Sequence, residues 1–114
     1  ADLNDRTKRF AAEFTKRAKA ANFERSQPSQ FDASTYDIVQ YYAWAMKEGK
    51  VTGDPKRLAE ERTAIREALG RMKGFPALEG AISFGADNDA LKPIYIIEAR
   101  DGKWTLLETH PAPN

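Results

Sequence analysis

Between Tyr36 and Met46 the chain carries its densest apolar segment, and that segment limits the folds open to it. Ile38, Val39, Tyr42, Ala43 and Met46 recur at helical spacing and form one stripe, with Tyr41 and Trp44 on the opposite side. A helix that is apolar all round has to be buried on more than one face. The spacing therefore predicts a long helix with partners on several sides. Its start is expected at Ser34, where Asp37 three residues on fits a capping box, with Asp32 as the competing cap. Gly49 is the natural stop.

The remaining elements fall around this helix. Phe10, Phe14, Ala18 and Ala21 recur at intervals of four and three, so residues 4–21 read as an amphipathic helix. Residues 1–25 hold seven basic and four acidic side chains, but Asp5, Glu13 and Glu24 are interspersed among the bases. That mixture describes a solvated face rather than a nucleic-acid helix. Ser26 to Gln30 is a polar connector, because Pro28 disfavours helix at the residue before it. A third helix opens at Asp54-Pro55, with Leu58, Ile65, Leu69 and Met72 inward and Glu60, Glu61, Arg62, Arg66 and Glu67 solvated. From Gly80 the periodicity changes. Ala81 to Phe84 is a short apolar run, Asp87-Asn88-Asp89 a turn, and Ile94 to Ile97 a strand. Asp101-Gly102 signals a hairpin that returns through Trp104 to Leu107, before a tail from His110 to Asn114. The expected order is three helices, one strand, then a hairpin.

Signals for chemistry are sparse. With 18 basic and 17 acidic residues the net charge is +1, which gives no electrostatic reason to expect nucleic acid as a partner. The chain of 114 residues has no cysteine and one histidine, so disulfides, thiolate catalysis and a typical zinc site are all unsupported. No apolar run approaches the roughly 20 residues that span a bilayer, and the chain opens on a charged helix rather than a secretion signal. Phosphate-binding loops and nucleophile elbows are missing, and Ser34 and Ser83 have no identifiable base. Asp87-Asn88-Asp89 lacks the glycine and distant Glu of a calcium loop and reads as a turn with Asn88 left-handed. No catalytic residue, metal ligand or cofactor is expected, and a binding or packing role survives. Phe31, at the connector's end, reads locally as a core plug, with ligand lining as the alternative.

Four segments in order resemble the carboxy-terminal part of type I periplasmic binding proteins serving branched-chain amino acid ABC importers. They are Phe10 to Arg17, Ser34 to Val39 with its Tyr36-Asp37 pair, Gly80 to Phe84, and Leu91 to Ile97 followed by Asp101-Gly102-Lys103-Trp104. Ala81 stands where the family often has Pro, and Asn88 where it often has Gly. The resemblance covers essentially this whole chain and about the last third of a usual family member. It implies an α/β fold of two lobes, with residues 1–90 in the first lobe, 91–93 a hinge crossing, and 94–114 a hairpin and tail on the second. It also implies capture of an amino acid or related small organic acid outside the cytoplasm, in the periplasm, by lobe closure. Delivery would be to an ABC permease in the membrane, with no enzymatic step. By position, Phe31 would line the cleft, with Asp32 and Tyr36 as further ligand-binding candidates. The residues that grip the ligand's head group would lie outside this segment. The rest of the fold would come from the remaining part of the same chain or from a second copy. A ligand-sensing domain of the same fold and a small self-standing interaction module are the alternatives.

Overall fold

A computed structural model describes residues 4–113. Three helices, α1 (Asp5–Ala20), α2 (Gln30–Glu48) and α3 (Leu58–Gly70), precede five short strands. Strands β1 (Phe75–Ala77), β2 (Gly80–Phe84) and β3 (Ala90–Leu91) form an antiparallel sheet in that order, and β4 (Ile94–Arg100) pairs with β5 (Lys103–His110) in a separate hairpin. The result is a small α/β domain with two antiparallel sheets. Its radius of gyration is 17.1 Å, against about 13 Å for a compact domain of this length. The excess reflects an elongated, flat shape of 56 × 39 × 20 Å.

Helix α2 begins earlier than the Ser34–Asp37 pair suggested. Ser29 is the cap, and both its N–H and its hydroxyl donate to Asp32 Oδ2 at 2.7 Å. Arg25 braces the same carboxylate at 2.7 Å, and its guanidinium also lies 5.6 Å from the Phe14 ring centre, so the connector docks back onto α1. Asp37 could not serve as a cap because it is spent inside the fold.

Only one side of α2 is covered. Tyr41 and Met72 form the core with Ala77 and Ile82, and Trp44, Leu69, Phe75 and Phe84 pack around them. Phe75 meets Tyr41 edge-on at 5.3 Å between ring centres. Ala45 on α2 and Ala68 on α3 are both fully buried. A Cβ on Gly49 would lie 3.3 Å from that of Ala64, so small residues bring the two helices close. The stripe predicted to be buried with the other faces, Ile38, Val39, Tyr42 and Met46, is exposed in this chain. Among the described residues none covers it.

Four further expectations need correction. Glu61 is buried, not solvated. Its carboxylate accepts from the Thr52 N–H at 2.8 Å, the Thr52 hydroxyl and the Gly53 N–H at 3.1 Å, closing the α2–α3 loop. Leu58 is 58% exposed, because Asp54 and Pro55 nucleate a 3-10 turn over Pro55–Arg57 that delays α3 to Leu58 and leaves it in the first turn. The single strand expected before the hairpin is a three-stranded sheet. Phe75–Ala77 escaped notice because it is three residues long and contains Pro76, which an edge strand tolerates. His110 belongs to β5, paired with Ile94, rather than to a tail. The two turns behave as expected: Asn88 has φ 67°, and Asp101 and Gly102 have φ 52° and 72°, matching the twist of a tight hairpin.

Candidate functional site

Strands β1 and β2 are joined by only two residues, Leu78 and Glu79, and α1, α2, the crossing and β4 all reach this turn. From α2, Asp37 accepts the Leu78 N–H on both carboxylate oxygens, at 3.0 and 3.1 Å. From α1 and its cap, Thr7 Oγ1 and Asn4 Nδ2 donate to the Leu78 carbonyl at 2.8 and 3.1 Å, and Arg6 Nη1 donates to the Pro76 carbonyl at 2.6 Å. From the hairpin, the Tyr95 hydroxyl donates to the Glu79 carbonyl at 2.6 Å. Lys92, in the crossing, pairs with Glu79 Oε2 at 2.8 Å. Gly80 follows at φ 112°, and a Cβ there would lie 2.8 Å from Tyr95 Oη and 3.1 Å from Pro93 Cγ. A side chain at this position would be both strained and in collision.

Burial sets the electrostatics here. Asp37 is 3% exposed, and desolvation pushes its pKa above the usual carboxylate range despite the Leu78 N–H favouring the ionised form. Tyr41, one turn along α2, is pushed up to about 12, chiefly by burial and then by the Asp37 and Glu79 carboxylates. Tyr95 is raised for the same first reason. Of these groups, Asp37 accepts from the Leu78 N–H and Tyr95 donates to the Glu79 carbonyl.

Two larger clefts flank the turn, beside a smaller one of about 360 Å³ lined by Glu79, Lys92 and Tyr95. The larger, about 600 Å³, lies between α1, α2 and β1. Phe10, Phe14, Tyr36 and Phe75 give it an aromatic lining, and Arg6, Arg9 and Arg17 give it a basic rim. The second, about 510 Å³, lies between the start of α2 and the hairpin, with Phe10, Gln30, Tyr95 and Trp104 among its lining residues.

The three site residues expected from sequence separate. Tyr36 lines the larger cleft and stacks on Phe10 with 5.2 Å between ring centres. Asp32 is engaged by Arg25 and Ser29, which hold its carboxyl well below the usual range, so it serves the helix start. Phe31 is 83% exposed on the first turn of α2 and lines neither cleft. Five residues at 100° each place it about 140° round the helix from Tyr36, and in line with the exposed Ile38 and Tyr42. Glu79, Lys92 and Tyr95 carry no local signal of a site in the sequence. A carboxylate in the middle of an apolar helix was the available signal for Asp37, and the capping-box reading absorbed it.

Among the described residues no group of three or more His, Asp or Glu side chains could hold a metal ion, and no helix is long and apolar enough to cross a membrane. Comparison with protein-family models, curated proteins and solved structures finds no match.

Proposed function

We propose that this chain is part of an extracytoplasmic solute-binding protein of an ABC importer, the portion that carries the end of one lobe and the crossing to the next. Its work is reversible capture of an amino acid or related small organic acid between lobes, and presentation of that solute to a membrane permease. No chemical step is involved. One observation carries the reading. The chain leaves a three-stranded sheet at Leu91 and enters a separate sheet at Ile94, with only Lys92 and Pro93 between. A two-residue passage between two sheets is the geometry a hinge needs, since few backbone angles must change for one body to move against the other.

Two features support it further. The exposed stripe on α2 and the apolar residues exposed on the hairpin, Ile94, Ile96, Ile97, Trp104, Leu106 and Leu107, are surfaces that a larger two-lobed body would cover. A lone hairpin is marginally stable in water, so β4 and β5 need a sheet to join. In this reading Phe31 heads the uncovered stripe and meets solute or the opposing lobe on closure.

Calorimetric titration of the protein expressed from its whole coding sequence tests this, using a panel of amino acids and small carboxylic acids. Saturable binding of one class, with a negative heat-capacity change from buried apolar surface, is expected. Absence of binding across the panel at millimolar solute overturns the reading.

A further inference from the structure

We infer that Glu79 is a latch, holding the hairpin against the three-stranded sheet through two contacts that must both release before the hairpin can swing. Its meaning as a hinge control rests on the lobe-closure reading above, whereas its existence rests on geometry alone. The backbone carbonyl of Glu79 takes the Tyr95 hydroxyl at 2.6 Å, and its carboxylate takes Lys92 at 2.8 Å. Tyr95 lies in β4 and Lys92 in the crossing, so a single residue grips both sides of Pro93. The grip is tight because Gly80 presents no Cβ where Tyr95 Oη and Pro93 Cγ approach.

The same two-residue turn is anchored from behind. Asp37 holds the Leu78 N–H, and Thr7 and Asn4 hold the Leu78 carbonyl. The turn is therefore fixed to α1 and α2, and the hairpin is fixed to the turn only through side chains. Those side-chain contacts are the ones that can break without unfolding an element. The Lys92–Glu79 pair is partly exposed, at 40% and 19% for the two side chains, so water replaces it readily on opening. The Tyr95 hydroxyl, half-buried, makes the costlier release.

These 114 residues hold no cysteine, so two labels can be placed in them once any cysteine elsewhere in the whole chain is replaced by serine. Lys47→Cys on α2 and Lys103→Cys at the start of β5 lie on exposed positions of the two bodies. Double electron–electron resonance between spin labels at these sites, in the protein from its whole coding sequence and without solute, reads the hairpin's position. The parent protein should give one narrow distance. Tyr95→Phe should raise a second, longer-distance population about fivefold, as expected for loss of one hydrogen bond, and Lys92→Met should raise it by less. The double variant should raise it further. Both substitutions keep the side chain's bulk, so cooperative melting is retained. Gly80→Ala supplies an independent arm, since its methyl group displaces the tyrosine hydroxyl and should shift the distance the same way. A distribution unchanged in the double variant and in Gly80→Ala overturns the latch. If latch variants shift but no solute from the calorimetric panel alters any distribution, the latch stands and the solute-binding reading falls.

Discussion

Asp37 is the residue whose replacement should disturb this fold most for its size. Its carboxylate is 3% exposed and is a partner to the Leu78 N–H, itself part of a buried residue at 5% exposure. Removing the side chain in Asp37→Ala leaves that N–H without its acceptor in a largely buried place. An orphaned buried amide costs about 1–3 kcal/mol. For a domain of this length each kcal/mol moves the midpoint by roughly 4 °C, so the expected fall in Tm is roughly 4–12 °C. Asp37→Asn keeps an acceptor oxygen and should lose less. Parent and variants also separate in pH. Burial raises the Asp37 pKa above its unfolded value, so the folded state holds the proton more tightly than the unfolded state. Stability from this group is therefore fully present below the ordinary carboxylate value and is lost as pH rises through the raised folded pKa. Asp37→Asn carries no such dependence, so the parent protein should gain on it as pH falls from 7 toward 4. Urea unfolding at pH 4, 5, 6 and 7 on parent, Asn and Ala variants measures all of this. If Asp37→Ala unfolds within about 0.5 kcal/mol of the parent, the size of an ordinary surface change, the carboxylate is not what closes the turn.

Glu61 should show the opposite pH sign. Its pKa is lowered, first by the Thr52 hydroxyl and then by backbone N–H groups, so Glu61→Gln should be less stable at pH 7, with the gap closing on acidification through the lowered folded pKa. Thermal melts at pH 7 and 3 check it, and a gap that widens in acid contradicts the assignment. Phe31→Ala, at a largely solvent-exposed position, should leave the melt within about 0.5 kcal/mol of the parent while weakening solute binding by about tenfold to a hundredfold; a large loss of stability with intact affinity would make Phe31 a packing residue. The uncovered α2 stripe predicts that this 114-residue chain, prepared by itself, sediments at low micromolar concentration as a species larger than a monomer. Val39→Glu with Tyr42→Glu should shift it to monomer, and a monomeric parent removes the argument from that stripe.

Much of the backbone plan was legible in the residues, because local geometry depends on local chemistry. The Phe10/Phe14/Ala18 spacing, the Pro55 start and the Asp101-Gly102 turn each encode a preference that neighbours three or four positions away can satisfy. The start of α2 was misplaced because two acidic residues, Asp32 and Asp37, could each complete a cap, and spacing does not say which one tertiary contacts will claim. Leu78 claims Asp37, from 41 residues away. Glu61 follows the same logic: helical periodicity places it among charged neighbours, and only the Thr52–Gly53 loop encloses its carboxylate. Which face of α2 is covered was also beyond the sequence, since Tyr41 and Ile38 are equally apolar and the choice follows from where the short sheet packs. The meeting of Asp37, Leu78, Glu79, Lys92 and Tyr95 at one two-residue turn unites positions spread over 59 residues of chain, counted from Asp37 to Tyr95. Hydrogen bonds of that span have no local signature, because their partners are chosen by the packing of whole elements rather than by any run of residues.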